Sequence, residues 1–259
     1  MIFLRKPIET MVTKSNYTKE AHSYWNEQYD YQGYKVVHNA GTEEKTFNLA
    51  DREIDFFLWP SQEKSDSLMN DKENNPYPTF DKNFASQHKS ISNYFERLND
   101  KIALDYGCGI LGRYTFALAK HFKMVYGIDI ASNAIEGCNA KKIELDSKNT
   151  SFQVNDGITI RLPNNFVDFI FSNLVLQHIG YKEGIFAILK EFSRILKSGG
   201  IMRLEFLDSS QNRPDGFFSV VEGCGMNVVE IRDKVKKCGI SIESYSEEHP
   251  YLWLTMKKN

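Results

Sequence analysis

Asp105-Tyr-Gly-Cys-Gly-Ile-Leu-Gly112, with Ile102-Ala103-Leu104 before it and Arg113-Tyr-Thr-Phe-Ala-Leu-Ala-Lys120 after it, decides the fold. The apolar run reads as a buried strand, the glycines as a tight turn, and the following run as a helix. Gly107, Gly109 and Gly112 permit a sharp turn and let a ligand approach bare backbone. The N–H groups that open the helix face the same ligand. The spacing Gly-x-Gly-x-x-Gly also satisfies the dinucleotide fingerprint. The turn therefore points to a nucleotide-like cofactor without choosing one, and a glycine turn that binds nothing is the alternative.

Outward from this turn the chain alternates strand and helix. Strands are expected at Ile102–Asp105, Met124–Asp129, Ser151–Asn155, Val167–Ser172 and Ile201–Leu207. Helices are expected at Gly112–His121, Ser132–Leu145 and Tyr181–Leu196, with Ser132 as an N-cap and Gly199-Gly200 as a stop. Such alternation implies a mostly parallel sheet covered on both faces. The tail differs. A helix over Asn227–Lys237 precedes two strand-like runs, Ile240–Glu247 and Tyr251–Lys257, joined by three residues. That short joint makes an antiparallel hairpin. A parallel sheet that ends this way is unlike the six-stranded dinucleotide fold.

Leu104-Asp-Tyr-Gly-Cys-Gly109 resembles the first motif of class I S-adenosylmethionine-dependent methyltransferases. The later segments resemble that family in order: Val125-Tyr-Gly-Ile-Asp129-Ile130, Phe152-Gln-Val-Asn-Asp156-Gly157, the run Phe166–His178, and Leu196-Lys-Ser-Gly-Gly-Ile-Met-Arg-Leu204. The resemblance covers roughly two thirds of the chain by motif order. It implies a Rossmann-like sheet of seven strands in the order 3-2-1-4-5-7-6, strand 7 antiparallel, with helices on both faces. It also implies S-adenosyl-L-methionine as cofactor and a transferase activity.

The chemistry of that cofactor gives roles to these residues. Asp129, about twenty residues past the first glycine, can accept from both ribose hydroxyls. Asp156 can accept from the adenine amino group, although Asp156-Gly157 is also a turn pair. Asp105 favours a cationic cofactor by charge or through water and would repel a pyrophosphate. The expected cofactor-binding set is Asp105, Gly107, Cys108, Gly109, Gly112, Asp129, Ile130, Asp156, Gly157 and Asn173. A short-chain dehydrogenase needs Tyr-x-x-x-Lys after the glycine motif. Tyr31-Gln-Gly-Tyr-Lys35 lies before it, which disfavours that rival.

Ser172-Asn173-Leu-Val-Leu-Gln-His178 follows the fourth strand and is expected to line the methyl end of the pocket. His178 is the candidate base, because imidazole titrates near neutrality. A hydrogen-bonding structural role is the alternative. An Asn/Asp-Pro-Pro-Tyr motif, the mark of amino methylation of bases or glutamine in similar enzymes, is absent from the sequence. Glu205 and Asp208 either face the acceptor or are solvated. Residues 1–99 read as an aromatic-rich cap and 100–259 as the core. Tyr17, Tyr24, Trp25, Tyr29, Tyr31 and Tyr34 form a lid helix or the cap's own core. Ser61–Asp81 reads as a loop, and Ser90–Leu98 as a helix with Ile91, Tyr94, Phe95 and Leu98 on one face.

The chain of 259 residues has 32 basic and 34 acidic side chains, a net charge of -2. No global positive field attracts nucleic acid or an anionic membrane. Cys108, Cys138, Cys224 and Cys238 show no zinc spacing and read as reduced thiols. No membrane span or signal peptide is expected, so the expected location is cytoplasmic. The expected function is methyl transfer, more at oxygen than elsewhere, to a small-molecule or glycan-like polar acceptor. An N-methyltransferase and a non-catalytic cofactor-binding subunit are the alternatives.

Overall fold

The computed structural model describes residues 17–37, 43–70, 90–211, 223–248 and 250–259. Its seven strands are β1 (Ile102–Tyr106), β2 (Met124–Asp129), β3 (Thr150–Val154), β4 (Val167–Ser172), β5 (Leu196–Leu207), β6 (Ile240–Glu248) and β7 (Tyr251–Lys258). They form one sheet in the order β3-β2-β1-β4-β5-β7-β6. The first five are mutually parallel, and β7 runs antiparallel to both β5 and β6. This is the expected Rossmann-like arrangement. The order reverses between β1 and β4, so a crevice opens at their carboxyl ends, where ligands bind in such sheets.

The helices are α1 (Tyr17–Val37), α2 (Glu43–Leu58), α3 (Gln62–Met69), α4 (Arg113–Ala119), α5 (Ser132–Glu144), α6 (Lys182–Ile195) and α7 (Val228–Val235). Two large apolar clusters flank the sheet. One joins Leu104, Ile170, Leu204 and Leu254 to Ile188 and Phe192 of α6 and Ile231 of α7. The other joins Ala103, Phe169, Phe171 and Trp253 to Tyr114 and Leu118 of α4 and to Ile54 and Phe57 of α2. Leu49, Ile54, Phe56, Phe57 and Leu58 of α2 are all buried. Each such side chain contributes roughly 1.5–3 kcal/mol before ordering entropy is subtracted. Helix α2 is thus part of the main hydrophobic core.

Several local expectations need correction. β5 begins at Leu196, not Ile201, because Leu196 already pairs with Val167 of β4 across an irregularity. Strand pairing therefore ends α6 before Gly199-Gly200 is reached. Ala131, not Ser132, is the N-cap of α5. The Ser132 hydroxyl turns instead to Asn26 Oδ1 of α1 at 3.3 Å. Part of the expected loop Ser61–Asp81 is helix α3, capped by Ser61 Oγ accepting from Lys64 N; residues 71–81 lie outside the described set. Ser90–Leu98 is not one helix. It forms a 3₁₀ turn at Ile91–Tyr94, and another turn starts at Leu98. Ser90 Oγ bonds to Leu58 O and sits 2.6 Å from Ser92 Oγ. Such side-chain bonds compete with a helix. The apolar reading of that segment holds: Ile91, Tyr94, Phe95 and Leu98 all pack on the α2 side of the core.

Candidate functional site

The glycine turn leaves β1 and is tied to β2. Gly107 N and Cys108 N both donate to Ile128 O, at 2.8 and 3.0 Å. Gly107, Gly109 and Gly112 have φ of +80°, +63° and +58°, a region costly for side-chain-bearing residues. Space adds a second reason. A Cβ on Gly107 would lie 2.2 Å from Val175 Cγ2, and one on Gly112 would lie 2.9 Å from the Phe152 ring. Cys108 directs its thiol inward, 3.9 Å from Cys138 Sγ. Only its backbone can serve a ligand.

Asp129, at the end of β2, is bound to this turn. Its Oδ2 accepts from Gly109 N and its Oδ1 from Ala131 N, each at 2.9 Å. Burial pushes its carboxyl up, and the N–H groups of Ala131, Gly109 and Ile130 pull it back. A carboxylate offers about four lone-pair sites, so each oxygen keeps capacity for a hydroxyl. Asp105 is fully buried, with Thr115 Oγ1 donating to its Oδ2 at 2.6 Å. Burial pushes it up to about 7, with the Thr115 bond opposing and the charge of Asp129 adding. Its influence on a cofactor is therefore at a distance, by charge.

The far wall comes from the loop after β3. Asp156 is exposed, and its Oδ1 accepts from Ile158 N at 2.9 Å and Thr159 N at 2.6 Å. Burial opposes its ionisation, but those N–H groups hold its carboxyl below the usual value. The turn role expected of Asp156-Gly157 is thus present. Gly157 O accepts from Tyr106 Oη at 2.6 Å. A Cβ on Gly157 would lie 3.2 Å from Ile130 Cδ1 and 4.0 Å from Thr18 of α1. Ile130 and Gly157 therefore face each other beneath α1.

Helix α1 crosses the carboxyl ends of the strands. Tyr17 Oη donates to His178 O at 2.6 Å and accepts from Gly180 N at 3.0 Å. Its ring meets that of Tyr181 edge-on at 4.9 Å. Trp25 meets the His178 ring at 5.1 Å and packs against Ala131 and Ala134, while Ile130 packs against the cluster of Tyr17, Ala21 and Tyr24. Asn26 Oδ1 accepts from Asn133 N at 3.2 Å. Tyr17, Tyr24 and Trp25 thus cover the site and also form a small core with it. The side chains of Tyr29, Tyr31 and Tyr34 lie outside the described set.

At the end of β4 the chain turns through Leu174, a non-glycine residue with φ of +59°. Asn173 is buried, and its Nδ2 donates to Tyr114 Oη. Tyr114 Oη in turn donates to Glu53 Oε2 of α2 at 2.5 Å. His178 follows, half-buried, its Nε2 3.3 Å from the Gln177 amide nitrogen. Glu205 and Asp208 are both buried, so solvation does not account for them. Asp208 Oδ1 accepts from Ser210 N at 2.7 Å and shapes the turn after β5.

Residues 104–204 match the model of a methyltransferase domain. With the seven-stranded order and the glycine turn in place, that match makes this segment similar to the class I S-adenosylmethionine-dependent methyltransferases, whose fold the chain has. A curated relative, phosphoethanolamine N-methyltransferase 1 of Caenorhabditis elegans, is 30% identical over 107 residues, 41% of this chain. Those residues span only 22% of that relative. Two solved structures share the fold. A methyltransferase from Methanosarcina mazei has a TM-score of 0.54 at 19% identity, covering 65% of this chain and 96% of its own. One from Aquifex aeolicus has a TM-score of 0.52 at 19% identity, covering 77% and 99%. S-adenosylmethionine fits the residues present: the Asp129 and Asp156 carboxylates keep lone pairs for its hydroxyl and amine hydrogens, and the glycine turn puts no side chain in its way. Among the described residues no helix is long and apolar enough to cross a membrane.

Sequence reading missed the polar cluster behind Asn173. Glu53 sits in the apolar stripe of α2, between Leu49 and Ile54 and Phe57. Arg203 is buried on β5, its guanidinium stacked 5.1 Å from the Phe57 ring and 4.8 Å from the Trp253 ring. The available signal was a charged residue inside an apolar pattern. A Glu flanked by Leu204 and Phe206 in a central strand has no route to water.

Proposed function

We propose that this protein transfers a methyl group from S-adenosylmethionine to a small polar acceptor, with oxygen as the receiving atom. In this reading Asp129 accepts from the ribose hydroxyls and Asp156 from the adenine amine. Ile130 and Gly157 bracket the adenine, and backbone from Gly107 to Gly112 lies along the methionine end. Asn173 lines the methyl end. When bound, the cofactor supplies an activated methyl carbon. The protein's own work is to align the acceptor and exclude water. His178 removes the acceptor proton at a ring nitrogen. Helix α1 acts as a cap on the core, and neither nucleic acid nor a membrane is a partner.

The observation that carries this reading is the convergence of the clamped glycine turn, Asp129 and the β4 turn at one crevice beneath α1. The experiment is a screen of hydroxyl and amine acceptors with labelled cofactor, followed by a pH–rate series on the best acceptor. His178→Ala is expected to lower kcat by roughly 10²–10⁴-fold with cofactor affinity unchanged. The wild-type rate is expected to fall as the imidazole protonates. A fast, pH-insensitive His178→Asn enzyme would remove the base role. Nitrogen is the second reading. It is favoured by the likeness to a relative named as a phosphoethanolamine N-methyltransferase. A neutral amine needs desolvation more than a base.

A further inference from the structure

Glu205 has no ordinary structural explanation. It lies on β5 between Leu204 and Phe206, wholly buried. Neither of its carboxylate oxygens meets a hydrogen-bond partner at bonding geometry. The backbone N–H of Leu174 only lends it some stabilisation. Buried carboxylates are ordinarily bonded or paired, because an uncompensated one is costly. The second carboxylate, Glu53 of α2, is also wholly buried and bears on Glu205 directly. Around them stand Arg113 and Tyr114 of α4, Arg203 on the same strand and Tyr251 of β7. Two acids thus face two guanidiniums, but both guanidiniums also lie over aromatic rings: Arg113 over Tyr114 at 4.6 Å, Arg203 over Phe57 and Trp253. The surroundings are those that hold a cation, aromatic faces and carboxylates together.

The place matters as much as the chemistry. Glu205 lies beside the Asn173–Leu174 turn at the end of β4, near the Leu174 N–H. Leu174 is held at φ of +59° there, and it and Val175 are partly exposed. Unfavourable backbone at a turn beside a site is a feature of segments that rearrange with ligand. We propose that Glu205, backed by Glu53, anchors a positively charged nitrogen on the methyl acceptor, admitted by displacement of the Leu174–Val175 turn. The acceptor class is then a small molecule bearing an ammonium group. This inference rests on the methyltransferase reading; an anchored ammonium has no lone pair, so the methyl group goes to another atom of the acceptor.

Burial, with the charge of Glu53 adding, pushes the Glu205 carboxyl up, while Arg203 and Arg113 oppose the shift. The test uses the full chain saturated with S-adenosylhomocysteine. Ethanolamine is the cationic probe and ethylene glycol its neutral counterpart, followed by ligand-observed NMR and calorimetry. Ethanolamine is expected to bind. Ethylene glycol is expected not to bind. Glu205→Gln and Glu53→Gln are each expected to weaken ethanolamine binding at least ~10-fold, the loss of one charge-assisted contact, with unchanged affinity for S-adenosylhomocysteine. Equal ethanolamine binding by wild type and Glu205→Gln would overturn the anchor, as would no binding to wild type. If Glu205→Gln fails to fold, Glu53→Gln carries the comparison, and equal binding of ethylene glycol and ethanolamine by wild type would overturn the anchor with no variant at all. Failure of S-adenosylhomocysteine to bind would strike the cofactor reading instead.

Discussion

The two halves of the crevice are built by different means. The cofactor half, from Gly107 to Asp129, is made of backbone: two N–H groups on Ile128 O, one on Asp129, and three glycines with positive φ. The half proposed for the acceptor is made of side chains from four elements: Glu53 on α2, Tyr114 on α4, Asn173 after β4 and Glu205 on β5. A backbone site depends on local geometry and recurs wherever the same turn recurs. A side-chain site depends on which distant residues the fold brings together, and so is free to vary with substrate.

The largest expected effect concerns Asp105, the acid beneath the glycine turn. Burial pushes its carboxyl up to about 7 from an ordinary 3.8. Between those values the folded state holds more protons than the unfolded state, so this residue's contribution to stability falls as pH rises through that window. The swing is of order a few kcal/mol. Asp105→Asn is expected to gain on wild type in denaturant midpoint between pH 5 and pH 7.5. Parallel pH curves for the two proteins would mean the carboxyl is ionised throughout.

Gly107→Val attacks the backbone half directly. It places a branched side chain at φ of +80° and against Val175. Overpacking of this kind costs about 1–3 kcal/mol, and the dihedral adds to it. Loss of S-adenosylhomocysteine binding and a lower melting temperature are expected; a variant with native affinity would show the turn to be slack. Asp129→Ala removes the acceptor for Gly109 N and Ala131 N as well as for ribose. Calorimetry is expected to read a loss of roughly 1–3 kcal/mol in cofactor affinity. Unchanged affinity with an intact fold rules out the ribose role.

The smallest effect comes from α1. Tyr17→Phe deletes the hydroxyl that bridges His178 O and Gly180 N. A stability loss of about 1 kcal/mol is expected from such a bond, seen in chemical denaturation. No change would mean that α1 is held by ring packing against Tyr181 and Ile130, not by that bridge.

Legibility in the sequence follows the same division. The strand–turn–helix at Ile102–Lys120, the acids near the ends of β2 and β3, and the closing hairpin are each local patterns, and the resemblance they carry implies the sheet order. Glu53 and Glu205 are 152 positions apart, and no periodicity links them. Each is a charged residue inside an apolar pattern, but what it meets is settled only when α2 docks on the sheet. Local misreadings have tertiary causes. Ser132 has the chemistry of an N-cap, but Asn26 of α1 engages its hydroxyl. Gly199-Gly200 has the chemistry of a helix stop, but Leu196 already pairs with β4. In both cases a tertiary partner, invisible in the local sequence, outweighed a local preference.

The most direct test of the central claim is calorimetric titration of the full chain with S-adenosylhomocysteine and, separately, with NAD. One site per chain for S-adenosylhomocysteine, weakened by Asp129→Ala, with no comparable binding of NAD, is the result that the clamped glycine turn and its acids predict. Tight binding of NAD with no response to S-adenosylhomocysteine would contradict it.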